Sequence, residues 1–321
     1  MKTPLCEMLE IEHPVILGGM ATGTSAPLVA AVCNAGGLGT MGLGGMDADQ
    51  VRAVLAAIRA ATQAPFGVNF LLFQIDEEAL EAALAEKPPV IAFAWARPEQ
   101  DLARFFERAH STGAKVMHMA ADVPEARRAA AAGADVVVAQ GTEGGGHVGW
   151  MGTMPLVPMV VDALAPLPVV AAGGIADGRG LAAALALGAQ GVLLGTRFLA
   201  TEESPLHPNF KQAIVRSDGH DTLLTEIPDI AMGRVWPGAM ARALRNRFIE
   251  RWAGREWALR QNRAEVATAL LAARKAGDVD YGTLLIGQDA GLIDAVLPAG
   301  EVVRSVVEQA ERILGGGAWR P

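Results

Sequence analysis

Cysteine is scarce: only Cys6 and Cys33 occur in 321 residues. Two isolated thiols make neither a disulfide scaffold nor a cysteine metal pair, and they fit a reducing cytoplasm. Positive charge is also short. Lys and Arg total 27 against 35 Asp and Glu, a net of −8, with no long run of either sign. Non-specific nucleic-acid binding needs a basic footprint, so that class is excluded. Long apolar runs are missing as well. Residues 14–46, 144–161 and 180–196 carry no Asp, Glu, Lys or Arg, yet each is broken by Gly, Pro or polar side chains. None supplies the ~20 consecutive apolar residues of a membrane-spanning helix. Met1–Glu10 shows no signal-peptide hydrophobic region. A soluble cytoplasmic protein is expected.

What is present is apolar material and glycine. Half the chain is hydrophobic (51%), which excludes a disordered polymer, and there are 37 glycines. Uncharged, glycine-rich stretches beside buried strands suggest a ligand lying against backbone. The length allows two domains, or one large α/β barrel with an insertion.

Short β-rich apolar runs recur up to about residue 200: Pro14–Leu17, Leu38–Met41, Phe66–Phe70, Val90–Ala94, Lys115–His118, Val136–Ala139, Val169–Ala172 and Val192–Leu194. Helix-forming segments separate them: Ala26–Asn34, Ala48–Ala61, Glu77–Ala85, Glu99–Ser111, Pro124–Ala132, a stretch within Leu156–Leu164, and Gly180–Leu187. Asp47 and Asp122 read as N-caps, and the glycines after the first, fifth and last helices as left-handed stops. Continuously apolar strands imply a parallel sheet buried on both faces. Eight βα units favour a closed (β/α)₈ TIM barrel, with an open doubly wound sheet as the alternative. Residues 216–282 contain helix-like, Arg- and Ala-rich segments (Ala239–Trp252, Arg263–Ala276) without strand alternation. They read as a small helical cap between barrel segments 1–215 and 283–321. Glu301–Leu314 reads as a closing amphipathic helix.

Barrel active sites lie at the C-terminal strand ends. Gly173-Gly174 and Gly195-Thr196, after strands seven and eight, suit a phosphate, because glycine permits close approach and a threonine hydroxyl adds a donor. The alternative is a pair of ordinary βα turns. Two Gly-x-Gly-x-x-Gly matches, Gly37–Gly42 and Gly144–Gly149, fail the dinucleotide context: the first follows a helix, and no acid follows the second at the required distance. His147, in an uncharged glycine loop after strand six, is the candidate base. His118 could line the site or be a satisfied core group, and Glu143 could orient His147 or a ligand. No Gly-x-Ser-x-Gly elbow, His-Glu-x-x-His or metal-spaced cluster occurs, and Lys115 begins its strand where a Schiff-base lysine would end one.

Gln140-Gly141-Thr142-Glu143-Gly144-Gly145-Gly146-His147-Val148-Gly149 precedes Ala172–Gly180 and Gly195–Thr201. With Pro14–Met20, Phe66–Asn69 and Gly287–Ile293, this combination resembles the nitronate monooxygenases, formerly called 2-nitropropane dioxygenases. The resemblance implies an FMN-dependent TIM barrel with a small helical substrate domain. By position it assigns Gly19, Met20 and Asn69 to one side of the flavin. Gln140 and Gly145 fall at its ring or ribityl region, and Gly174, Gly195 and Thr196 at its phosphate. His147 matches the family's catalytic histidine, which removes the α-proton of a nitroalkane. The implied partners are a small-molecule substrate and dioxygen, giving carbonyl compound and nitrite; a homodimer is compatible. One departure stands out: some relatives carry lysine after the strand-five histidine, where this chain has Met119. The same fold and Glu-x-Gly-Gly-His-x-Gly pattern occur in flavin-dependent enoyl-[acyl carrier protein] reductases and an NADH:quinone reductase branch, both NAD(P)H-dependent. A flavin-free phosphate-binding barrel is the alternative of another class.

Overall fold

A computed structural model describes residues 1–316. The eight expected strands close into one parallel barrel. They are β1 (Val15–Leu17), β2 (Leu38–Gly42), β3 (Phe66–Leu71), β4 (Val90–Ala94), β5 (Lys115–Ala120), β6 (Val136–Gln140), β8 (Val169–Ala172) and β9 (Gly191–Leu194), with β7 (Gly146–Val148) standing outside. Closure runs through β1, which pairs Ile16 with Leu38 on one side and Leu193 on the other. The open-sheet alternative is excluded.

Side chains alternate across each strand. Ile16, Leu38, Val90, Ala92, Met117, Val136, Val138, Val170 and Ala172 form the core inside the barrel. Their neighbours, such as Val15, Leu17, Val68, Phe93 and Val137, face the helical ring. That is why the strands read as unbroken apolar runs. The short helix Pro4–Leu9 packs Leu5, Cys6 and Leu9 into the inner core and plugs its N-terminal end. Ligand access is left to the other end, where the strands finish.

The helices begin and stop where local chemistry predicts. Asp47 caps Ala48–Ala61 in a full capping box with Gln50, and Asp122 caps Val123–Ala131. Gly36, Gly133 and Gly188 take positive φ after their helices. Some boundaries move: the helix expected from Glu99 begins at Leu102, because Asp101 caps it and Arg97–Gln100 turn before it, and those expected from Gly180 and Glu301 begin at Gly178 and Ala299. The last helix, Ala299–Leu314, packs against Gly178–Ala186 and Ala26–Asn34 and so completes the ring. No helix among the described residues is long and apolar enough to cross a membrane.

Residues 216–282 are largely helical, with Ile227–Met232, Arg247–Trp252, Glu256–Gln261 and Arg263–Ala276. The reading of this region as free of strands is corrected. It contributes β10 (Thr222–Thr225) and β11 (Met240–Leu244), and β11 pairs antiparallel with both β10 and β7. Met-Ala-Arg-Ala-Leu alternates, but alanine and a buried arginine hide the period that bulky β-formers would display. The segment owns a small core of Ile227, Ile230, Phe248, Ile249, Trp252, Leu259 and Leu270.

Candidate active site

The inward positions at the C-terminal strand ends are mostly small. Continuing the alternation brings Gly18, Gly42, Ala94, Ala172 and Gly195 to the barrel mouth, together with Asn69, Met119 and Gln140. Five of these positions carry no bulk, and three carry longer side chains.

Four of the expected cofactor residues meet on one side. Asn69 Nδ2 donates to the Gly19 carbonyl at 3.4 Å. A Cβ on Gly19 would lie 2.4 Å from Asn69 Cβ, so glycine is required there. A Cβ on Gly195 would stand 3.5 Å from Met20 Sδ, which joins the β9 and β1 ends.

Of the other four, Thr196 and Gly145 meet at Gly287. Its backbone N–H donates to Thr196 Oγ1 at 2.9 Å. A Cβ on Gly145 would fall 2.5 Å from the same nitrogen. Gly174 holds φ 74°, where its Cβ would approach Glu143 Cβ at 3.1 Å. Gln140, at the end of β6, buries Oε1 without a hydrogen-bond partner. Thr196 is buried and its hydroxyl already receives the Gly287 N–H, so it acts first as the brace of this loop junction.

Glu143 orients neither His147 nor an open space. Both its carboxylate oxygens accept from the Thr153 N–H, at 3.0 and 2.9 Å, and Thr153 Oγ1 adds a third bond. This ties the glycine loop to the helix Thr153–Leu164. Arg242 on β11 secures the same loop by donating Nε–H to the Thr142 carbonyl at 2.9 Å. Desolvation pushes its guanidinium pKa down, with the charge of Glu143 opposing. His118 proves to be a core group. It faces outward from β5, fully buried, with Phe106 beside its ring and Glu125 Oε1 3.4 Å from Nε2.

His147 lies on β7, opposite Ala241 of β11. Its Nε2 sits 2.9 and 3.0 Å from the two oxygens of Asp229, and its ring stacks on Trp236, with centroids 3.4 Å apart and planes within 11°. Trp236 in turn touches Phe73, at 4.6 Å, and meets Trp95 edge-on at 6.1 Å. These two aromatics follow β3 and β4, and Trp95 holds the unusual φ of 56°. Trp236 Nε1 is buried without a partner. The 216–282 segment therefore holds the histidine, and the barrel aromatics Phe73 and Trp95 back its tryptophan. With Asp229 accepting from Nε2–H, Nδ1 is the basic nitrogen.

Asp229 and Trp236 escaped sequence reasoning. The available signals were an acid inside the apolar turn Ile-Pro-Asp-Ile-Ala-Met and a tryptophan in a chain with six. Asp289 escaped too. It is fully buried beside Thr196, and burial drives its carboxyl pKa up to about 7 against its own backbone N–H, Thr196 and Arg197.

Comparison with known proteins agrees with this fold. The model of the nitronate monooxygenase family matches residues 2–83 and 74–309. A (3aS,4S,5R,7aS)-5-hydroxy-7a-methyl-1-oxo-octahydro-1H-indene-4-carboxyl-CoA dehydrogenase of Mycobacterium tuberculosis is 36% identical, over 97% of this chain and 96% of its own length. A probable nitronate monooxygenase of Staphylococcus saprophyticus is 32% identical, over 98% and 99%. Among solved structures, FabK from Thermotoga maritima superposes with a TM-score of 0.88 at 36% identity, covering 98% of each chain. A nitroalkane oxidase from Streptomyces ansochromogenes gives 0.84 at 30%, covering 97% of this chain and 99% of that one. With a closed barrel, a glycine-walled mouth and an end-to-end family match, this chain belongs to the nitronate monooxygenase family of oxidoreductases.

Proposed function

We propose that this chain is an FMN-dependent nitronate monooxygenase, oxidising alkyl nitronates, and nitroalkanes after deprotonation, with dioxygen to a carbonyl compound and nitrite. The observation that carries the reading is His147, held by Asp229 and Trp236 beside a barrel mouth of small residues. The mouth suits a flavin on its own chemistry. Gln140 Oε1 is an unpartnered acceptor at the rim, and the Gly19–Asn69 contact is a cradle that any Cβ would close. In this reading Gly19, Met20 and Asn69 flank the ring, Gln140 and Gly145 meet its ring or ribityl region, and the backbones of Gly174, Gly195 and Thr196 approach the phosphate. Bound FMN would supply the electron acceptor that the side chains lack. The chain's own work is proton removal and positioning. His147 Nδ1 takes the α-proton of a neutral nitroalkane, Asp229 holds the ring in that tautomer, and the aromatic wall of Trp236, Trp95 and Phe73 limits water. Residues 216–282 act as the substrate cap over a cofactor domain of 1–215 and 283–321.

A second reading, an NAD(P)H-linked reductase or dehydrogenase of acyl thioesters, is favoured by one observation. Two of the relatives named above, a CoA-ester dehydrogenase and FabK, share 36% identity, above the 32% of the probable nitronate monooxygenase. Anaerobic mixing separates them. The purified protein, with its flavin identified by absorbance, is exposed to NADH and separately to an alkyl nitronate. Bleaching by nitronate and not by NADH supports the first reading; the reverse overturns it.

A further inference from the structure

One buried acid beside the mouth takes no part in proton removal. Asp289 lies in the turn Gln288–Leu292, and this turn with Gly287 before it is fixed from three sides. The Gln288 N–H donates to the Glu143 carbonyl and the Gly287 N–H to Thr196 Oγ1, both at 2.9 Å. A Cβ on Gly291 would fall 2.5 Å from the Asp218 carbonyl oxygen. The Asp289 side chain folds back over its own turn: a Cβ on Gly287 would stand 2.2 Å from Asp289 Oδ1, so only glycine fits there. Held in this way, the carboxyl shares a hydrogen bond with the Thr196 hydroxyl.

Compensating charge around Asp289 is thin. The helix Thr196–Leu199 brings Arg197, but its Nη2 donates to the Ala200 and Ala295 carbonyls at 2.7 Å and its Nε is buried without a partner. The helix Pro208–Arg216 presents Phe210, Ala213 and Ile214, which share a core with Ala290. Its Lys211 donates to the Glu202 carbonyl, and its Arg216 is exposed. Glu143 and Asp218 meet the turn through backbone carbonyls. Their carboxylates are held elsewhere, by Thr153 and by the N–H groups of His220 and Asp221. Asp294, further along the same stretch, is exposed. An ionised carboxyl without a paired cation is costly in the interior. Burial accordingly raises the Asp289 pKa to about 7, against its own backbone N–H, Thr196 and Arg197.

A threonine hydroxyl has one proton to give and two lone pairs. Thr196 Oγ1 already accepts from Gly287, so the open question is where its proton points. An ionised Asp289 can only accept, and takes that proton. A protonated Asp289 donates to Thr196 Oγ1 instead, and the threonine proton is then free for another acceptor. We propose that Asp289 is a positioning residue that aims the Thr196 hydroxyl and thereby couples binding of the flavin phosphate to a proton. The protonated acid leaves Thr196 O–H to the phosphate; the ionised acid, its proton lost to solvent, withdraws that donor and sets a like charge nearby. The inference rests on the reading of Gly174, Gly195 and Thr196 as the flavin-phosphate site and deepens it. The sign follows: phosphate binding favours the protonated acid, so affinity for FMN falls as pH rises.

Serial dilution of the FMN-loaded full chain, with released flavin read by its fluorescence, gives Kd between about pH 6 and about pH 8.5. Riboflavin exchanged into the same protein is the control, because it has the ring without the phosphate. FMN should bind about tenfold or more weakly at the upper end, as loss of one charged hydrogen bond implies, while riboflavin changes little. The second ionisation of the phosphate itself, near ~6, acts in the opposite direction by making FMN the better anion. Asp289→Asn, whose amide donates to Thr196 Oγ1 at every pH, should keep the tight value throughout. A flat FMN profile, an equal decline for riboflavin, or an undiminished decline in Asp289→Asn overturns the proposal. The first two comparisons use the unaltered chain, so they decide even if Asp289→Asn fails to fold. A chain that binds neither flavin at any pH overturns the flavin reading and this coupling with it, whereas FMN bound with a flat profile overturns the coupling alone.

Discussion

His147 and Asp229 stand 82 residues apart in the chain and 2.9 Å apart in space. The histidine comes from a strand beside the barrel and the aspartate from a helix of the 216–282 segment, so this bond helps join that segment to the glycine loop after β6. Asp229→Asn preserves the shape and offers an amide that need not accept from Nε2–H, which releases the tautomer. Turnover of neutral nitroalkanes should fall about 10–100-fold, while preformed nitronates, which need no base, keep most of theirs. His147→Ala should cost about 10²–10⁴-fold on the nitroalkane with the same sparing. Steady-state rates on both forms of one substrate check this; equal loss on both contradicts the base role.

Gly19 and Asn69 make a steric prediction. An alanine at 19 places its Cβ 2.4 Å from Asn69 Cβ, a contact that forces the β1 and β3 ends apart. Overpacking of this kind costs about 1–3 kcal/mol. Gly19→Ala should therefore lower both the melting temperature and the flavin retained on purification. Asn69→Gly added to Gly19→Ala should restore the melting temperature in part. An unchanged single variant would show that the contact relaxes freely.

Asp289 predicts a pH dependence. Its carboxyl titrates near 7 in the folded chain against 3.8 as the reference value. Below about 4 both states hold the proton. Between about 4 and 7 the unfolded chain releases it and the folded chain does not, so stability falls as pH rises through that window. Asp289→Asn removes the ionisation and should flatten this decline, by an amount on the order of 1–3 kcal/mol at pH 8. Denaturant unfolding at pH 5 and pH 8 measures it. An identical pH difference in the variant contradicts a proton uptake at this site.

Much of the barrel was legible because its physics is local. Strands buried on both faces read as continuous apolar runs, and Asp47, Asp122, Gly36, Gly133 and Gly188 mark helix ends by short-range bonds or φ alone. The glycine loops around Gly145 and Gly174 were visible for the same reason. Asp229 and Trp236 were not, since nothing near them in sequence reveals that they close on His147. Strand β11 was hidden by alanines and by Arg242, whose burial depends on a carbonyl one hundred residues away. Glu143 shows the converse. Four residues from His147, it spends its carboxylate on Thr153.

The most direct test of the account is anaerobic stopped-flow mixing of the flavin-loaded protein with an alkyl nitronate and, separately, with NADH. The account predicts rapid loss of flavin absorbance with the nitronate and none with NADH, followed on admission of dioxygen by nitrite and the carbonyl compound. Rapid bleaching by NADH with no response to nitronate would contradict it.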